Sequence, residues 1–420
     1  MFYQKIKNSL ETLDSEFITL NELMNFYNNV LDSSSLSIKK VGLSELGDWG
    51  FDSNGSFSHK SGKFFSVNSV EYRDELSMIL SQPEIGLLCN FMTIVDETAY
   101  FLIQFKEEPG NINKVQLSPT IQATKSNYSK VHGGSLPNYW EEYTKYSTDS
   151  SVVSFNLPEQ GTRYWQKYNN NKIILTPFFK EKNNFKWMTL GQILQFKKYD
   201  NSINSCLRSC LSLIYEIYNE KKSDQKINSF AKNLQSIDRI LDSRNFKNVK
   251  SFYQKKTDIL KVHNNLDSFD ILGVEVSTKN REVSNWSQPL VLESKKQQYF
   301  LFTVRQNGET KYIWSIDKEP GYKKGFAVGP SLKNISFNND FEQKLNCFKK
   351  YNISEQFTMS EEGGRFLNFE VEHIFSKINE EDFNPKSFEF LVLNKSETNE
   401  INKMGYLSME ARSLFFLDIV

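Results

Sequence analysis

The chain has 420 residues, room for two ordinary domains that each bury their own core. Lys+Arg 51 balances Asp+Glu 51, so no net field holds a polyanion and nucleic acid is not an expected partner. The first residues lack an apolar signal core and no stretch approaches ~20 apolar residues, which argues against export and against a membrane span.

In chain order, Leu20, Leu23, Phe26, Tyr27 and Val30 fall at helical spacing and predict a helix over 20–31. Residues 64–67, 99–105 and 172–176 read as strands, with a polar, functional-looking loop over 107–139. Thr189 and Gln192 have capping-box spacing, and Ile203, Cys206, Leu207, Cys210, Leu211, Ile214, Ile217 and Tyr218 make one apolar helical stripe. The polar stretch 219–258 holds an amphipathic segment at about 230–241 that mirrors the opening helix. It sets expected domains of 1–220 and 221–420. Beyond it, strands at 299–304 and 311–316 are joined by Asn307-Gly308, a hairpin signal. Each half therefore reads as α+β, a mixed or antiparallel sheet with helices before and after. Cys89, Cys206, Cys210 and Cys347 match no zinc spacing and read as reduced, buried thiols of a cytoplasmic protein.

The sequence also repeats itself. Gln82-Pro83 returns as Gln288-Pro289, Glu108-Pro109-Gly110 as Glu319-Pro320-Gly321, and Ser118-Pro119 as Gly329-Pro330. Glu159-Gln160-Gly161-Thr162-Arg163-Tyr164 returns as Glu361-Glu362-Gly363-Gly364-Arg365-Phe366, and Arg208-Ser209 as Arg412-Ser413. The offsets, 202 to 211 residues, vary only as loop insertions would make them vary, so the chain is a tandem duplication of one domain.

One run is polar in unusual places: Phe105-Lys106-Glu107-Glu108-Pro109-Gly110-Asn111, then Gln116 to Thr124, then Ser126-Asn127-Tyr128. It resembles the signature of the NDP-hexose 2,3-dehydratases of deoxysugar biosynthesis. His59-Lys60-Ser61-Gly62-Lys63-Phe64-Phe65, Gln82-Pro83, His132-Gly133-Gly134 and the two Glu-to-Arg motifs support the resemblance. It implies two tandem domains of Nudix-like topology and a homodimer. The acidic metal-binding helix of Nudix hydrolases has no counterpart in the sequence. The implied substrate is a dTDP-4-keto-6-deoxyhexose, and the implied enzyme is a lyase. Its C4 ketone acidifies the C3 hydrogen, and the enolate expels the C2 hydroxyl as water to give a 3,4-diketo-2,6-dideoxy sugar. No hydride moves, so neither a cofactor nor a metal is expected. The product's new C3 ketone makes the nucleotide at C1 a leaving group, so a downstream 3-ketoreductase is the expected functional partner.

The expected catalytic residues are Glu108, His132, His59 and Tyr128. Glu108 sits on a turn after a strand, where it serves as an acid or base or merely caps nearby amides. The two histidines suit proton transfer at neutral pH, or are ordinary hydrogen-bonded residues. Arg163, Arg365, Arg208 and Arg412 suit bidentate grip of a pyrophosphate, and equally suit internal ion pairs such as Glu159 with Arg163. The amides of Gln122 and Asn127 read the base or the sugar hydroxyls, or cap backbone, while Tyr128 or Tyr139 donates to the C4 oxygen. The matched motifs add Lys63, Gln82, Lys106, Asn111, Glu159, Gln288 and Glu319 as ligand contacts. The second copy has Pro330-Ser331-Leu332-Lys333 where the first has Pro119-Thr120-Ile121-Gln122, so chemistry is expected in the first. The rival readings are an isomerase or epimerase on the same substrate and a non-catalytic nucleotide-sugar binder.

Overall fold

The computed structural model describes residues 2–72, 74–129, 135–148, 150–218, 246–264, 268–334, 340–384 and 390–419. Two seven-stranded sheets of the same order dominate it. The first runs Ser151–Pro158, Tyr168–Leu175, Gly86–Val95, Thr98–Glu107, Phe185–Met188, with Val115–Ser118 and Ile121–Ala123 added at its middle. The second repeats this with Asn352–Ser360, Glu370–Ile378, Gln297–Gln306 and Glu309–Asp317 as its long strands. Each holds one parallel pair, Tyr168–Leu175 with Gly86–Val95 and Glu370–Ile378 with Gln297–Gln306. The sheets are mixed, as expected. The apolar run inside Thr98–Glu107 is buried almost throughout, because helices cover the sheet's second face. Asn307 and Gly308 both take positive φ and close the predicted hairpin.

The closing helices Ser205–Leu211 and Met409–Leu417 each lie on their own sheet and pack against each other. Their arginines cross over reciprocally. Arg208 Nε donates to Ser413 Oγ at 2.5 Å, and Arg412 Nε to Ser209 Oγ at 2.9 Å. Their remaining donors reach carbonyls of Ile203 and Ser360 for Arg208, and of Leu407 and Pro158 for Arg412. Two fully buried guanidiniums are thereby satisfied.

Two smaller sheets, five strands each, sit beside the large ones, and here the copies exchange chain. Ser37–Val41 of the first half pairs with Ser268–Ser277 of the second, while Lys247 of the second half bridges Ser69 of the first. The Glu-Pro-Gly turns are exchanged in the same sense. Gly110 N–H donates to the Gly363 carbonyl at 2.7 Å and Gly321 N–H to that of Gly161 at 2.8 Å. A Cβ on Gly110 would strike the Phe366 carbonyl and come within 2.8 Å of Gly363 O, so only glycine permits this approach. Each turn thus docks on the Glu-to-Arg loop of the other copy.

The structure departs from the sequence reading at several points. The stripe after Asp200 forms two helices, Ser205–Leu211 and Ile214–Tyr218, because the Ser212 hydroxyl bonds back to Ser209 O at 2.7 Å and Leu213 N–H turns to Cys210 O. A helix Tyr3–Glu11 precedes the expected Leu20–Asp32 helix, which Thr19 and Glu22 cap. The 107–139 loop contains two strands and a short helix, Lys125–Tyr128. Leu80 N–H bonds to Arg163 O and Val291 N–H to Arg365 O, both at 2.8 Å, which makes Leu80 the equivalent of Val291. Gln82 therefore corresponds to Glu293, and its match with Gln288 in the sequence is accidental. The segment at 230–241 and the boundary near 220 lie outside the described residues.

Candidate active site

A cavity of about 500 Å³ opens where the first copy's Glu-Pro-Gly turn meets the second copy's Glu-to-Arg loop. Lys106 and Glu108 reach it from the end of Thr98–Glu107, and Gln122 from Ile121–Ala123. The second half adds Arg281 and Glu282, then Trp286 and Gln288 from Asn285–Glu293, then Glu362 and Arg365. Both copies are needed to make it.

Glu108 lies in a nest of N–H donors. Lys106 Nζ is 3.0 Å from its Oε1, Gln122 Nε2 is 3.0 Å from the same oxygen, and Asn204 Nδ2 is 3.0 Å from Oε2. Arg281 stands 4.0 Å away and is itself paired with Glu282 at 3.3 Å. Glu362 is in a different setting. It accepts the Gly364 N–H at 2.9 Å and faces the Tyr164 hydroxyl at 3.5 Å. Burial, then repulsion from Glu108, push its carboxyl up to about 8 against the pull of Arg365 and Lys106. Burial also raises Glu159, which accepts from Asn169 Nδ2 at 2.5 Å, and lowers Lys167 to about 8.

An aromatic wall faces this polar group. Trp49 meets His59 edge-on at 5.4 Å and Phe65 at 4.9 Å, and His59 meets Phe64 at 4.6 Å. Arg365 lies 4.3 Å over Phe65, donates to Gln82 Oε1 at 3.3 Å, and leaves its buried Nε without a partner among the described residues. Gln122 Oε1 is likewise unpartnered. His59 Nδ1 accepts the Ser61 N–H at 3.1 Å, and burial lowers its pKa, so the ring is neutral with its proton on Nε2.

Of the residues expected from sequence, His59, Gln82, Lys106, Glu108, Gln122, Asn127, Glu159, Gln288 and Arg365 line the cavity. The others lie elsewhere. Lys63 is exposed, and Tyr128 stacks on Trp140 at 4.9 Å. The Tyr139 hydroxyl takes the Lys182 N–H at 2.6 Å, and Asn111 braces its own turn through the Lys114 carbonyl at 3.1 Å. Arg163 pairs with Glu293 through two bonds of 2.6 and 2.9 Å, because the second copy has a carboxylate where the first has Gln82. Arg208 and Arg412 are the helix braces described above. His132 lies outside the described residues. Sequence reasoning missed Arg281, Glu282, Trp286, Lys167, Trp49 and Glu362. Only Glu362 left a trace, as the one added carboxyl in the repeated Glu-to-Arg motif.

The equivalent position in the second copy is filled. Lys333, which replaces Gln122, ties Asp317 (3.1 Å), Glu319 and Glu410 (3.3 Å) into one buried cluster. Glu319 therefore lies in this cluster and not at the cavity.

The sequence profile of the NDP-hexose 2,3-dehydratases matches residues 20–214 and again 224–417. Similar proteins include the dTDP-4-dehydro-6-deoxy-alpha-D-glucopyranose 2,3-dehydratase of Amycolatopsis orientalis, 28% identical over 91% of this chain and 86% of that one. The enzyme of the same name from Saccharopolyspora spinosa is 27% identical over 91% of this chain and 88% of its own length. Among solved structures, an ADP compounds hydrolase is similar at 12% identity and TM-score 0.25, covering 38% of this chain and 88% of its own. A C. elegans Ap4A hydrolase is similar at 12% identity and TM-score 0.18, covering 26% and 89%. The fold is a tandem pair of α+β domains, each built on a mixed sheet, and the protein is an enzyme of the hydro-lyase class. The chain belongs to the NDP-hexose 2,3-dehydratase family.

Proposed function

We propose that the chain removes water across C2 and C3 of a dTDP-4-keto-6-deoxyhexose. The observation that carries this reading is the Glu108 carboxylate, held by Lys106, Gln122 and Asn204 at the floor of a cavity large enough for a nucleotide sugar. Glu108 takes the C3 proton. The electron pair moves onto the C4 oxygen, where the Lys106 ammonium and Arg281 offset the new charge. The enolate then collapses, the C2–O bond breaks, and the enol left behind tautomerises to the 3,4-diketone. Its steps need neither hydride transfer nor a Lewis acid.

The aromatic wall of Trp49, Phe64 and Phe65 suits a base, and Arg365, with an unpartnered Nε and an uncharged neighbour in Gln82, suits the diphosphate. His59, neutral and donating through Nε2, suits a hydrogen bond to the ligand better than proton transfer. The reading further takes the protein to act as a cytoplasmic homodimer, its four described cysteines being free and buried. Among the described residues no helix is long and apolar enough to cross a membrane. A 3-ketoreductase acts next, since the diketone otherwise loses its nucleotide by elimination. The division into domains at 1–220 and 221–420 is part of the same proposal.

The test is incubation of the purified chain with dTDP-4-keto-6-deoxyglucose, following loss of water by mass and release of dTDP. Glu108→Gln should lower turnover by more than ~100-fold. Ligand recovered intact identifies a binder, and an isomer of unchanged mass identifies an isomerase or epimerase.

A further inference from the structure

The reading above gives Glu108 the C3 proton and leaves the C2 oxygen without a donor. Hydroxide is a poor leaving group, so the second half of the reaction needs a proton donor distinct from the base. Of the two cavity carboxyls that burial raises, Glu159 and Glu362, Glu159 recurs in the other copy as Glu361, and Glu362 is the one with no carboxyl counterpart. Glu362 comes from the second copy, lines the same cavity as Glu108, and has no ion pair to Lys, Arg or His among the described residues. Its contacts are one backbone N–H and one tyrosine hydroxyl, whereas Glu108 is ringed by an ammonium and two amide groups. Two carboxyls in one cavity thus have opposite surroundings.

The duplication supplies an internal comparison. Glu361-Glu362-Gly363 aligns with Glu159-Gln160-Gly161, so the counterpart of Glu362 is Gln160. Gln160 is buried and donates its amide to Glu361 Oε2 at 2.8 Å. The ionisable version occurs only in the loop that faces the open cavity. The opposite loop docks on the Glu319-Pro320-Gly321 turn, whose Glu319 is tied up with Asp317 and Glu410 by Lys333. A purely structural role at the turn would be met equally by the amide, as it is in the first copy.

We propose that Glu362 is the catalytic acid that protonates the departing C2 hydroxyl, so that each turnover draws one carboxyl from each copy of the domain. The proposal rests on the dehydratase reading. Glu108 gains the C3 proton; the C2–O bond breaks with its electron pair going to oxygen; Glu362 gives that oxygen its proton, and water leaves. The enol then takes a proton at C2 and loses the one on O3, and a proton passed from Glu108 back to Glu362 restores the starting state.

A substrate analogue with fluorine in place of the C2 hydroxyl tests this, since fluoride leaves without a proton. In the wild-type chain, turnover of the hydroxyl substrate should fall as pH rises past about 8, while fluoride release shows no such fall. Glu362→Gln should lower water loss by about 100-fold or more, yet keep exchange of the C3 hydrogen with D₂O and release fluoride at close to the wild-type rate. Glu362→Asp should restore part of the water loss. The proposal is overturned if Glu362→Gln still dehydrates normally, if it loses exchange and both eliminations equally, or if fluoride release in the wild type shows the same basic limb as dehydration. Failure of the dehydratase reading looks different, because the wild-type chain would then expel neither water nor fluoride.

Discussion

Gln82 and Glu293 occupy one register position in the two copies, and that single difference decides whether the neighbouring arginine is free for a ligand. Arg163 is neutralised by Glu293 through bonds of 2.6 and 2.9 Å, while Arg365 donates to two neutral oxygens, Gln82 Oε1 at 3.3 Å and the Gly364 carbonyl at 2.8 Å. Gln82→Glu should therefore copy the closed arrangement into the cavity and occupy Arg365. Losing one charge-assisted interaction with the diphosphate costs about 2–3 kcal/mol, which is about 30- to 150-fold in Kd. Calorimetric titration with dTDP measures it, and the deficit should persist when kcat at saturating substrate is far less affected. Glu293→Gln is the control. It should leave dTDP affinity within about twofold, but strand a buried guanidinium and lower stability by about 3–5 kcal/mol. If Gln82→Glu binds dTDP as tightly as the wild type, the assignment of Arg365 to the diphosphate is wrong.

Gly110→Ala should lower both the melting temperature and turnover, since the added methyl meets the Phe366 carbonyl; a wild-type melting curve would contradict the close docking of the two loops. Lys333→Gln leaves Asp317, Glu319 and Glu410 buried together without their cation, and should cost about 3–5 kcal/mol at neutral pH, with recovery on acidification as the carboxyls take up protons. Denaturant titrations at two pH values read this directly. Glu361 is buried and raised from 4.5 to about 7 by desolvation, so the folded state holds a proton that the unfolded state has released. Its contribution is present below pH 4.5 and is lost as pH rises through 7, by up to about 3 kcal/mol. Glu361→Gln should flatten that part of the stability profile.

The duplication and much of the site were legible because they rest on short motifs whose residues stay close in space. Lys106 and Glu108 are neighbours along one strand and the turn after it, and Gln122 follows within the same motif on the strand Ile121–Ala123, so their motif is also their geometry. Arg281 and Trp286 were not visible, since they enter the cavity only because the copies exchange Ser37–Val41 and dock each other's turns. Arg163 and Arg365 look alike in sequence, and what separates them, Glu293 against Gln82, is a register relation that the accidental Gln288 match concealed. The closing helix was read as continuous because apolar periodicity does not register a serine hydroxyl bonding back to the chain at Ser212. Tyr139 shows the reverse error: a polar aromatic in a functional-looking stretch whose hydroxyl accepts the distant Lys182 backbone N–H.

The most direct test follows the hydrogen at C3 and the oxygen at C2 in one reaction, using dTDP-4-keto-6-deoxyglucose deuterated at C3. Mass analysis of the trapped product should show the deuterium and one water lost together, with Glu108→Gln keeping both. Water loss with the deuterium retained, or deuterium loss without any water loss, would contradict elimination across C2 and C3 at this cavity.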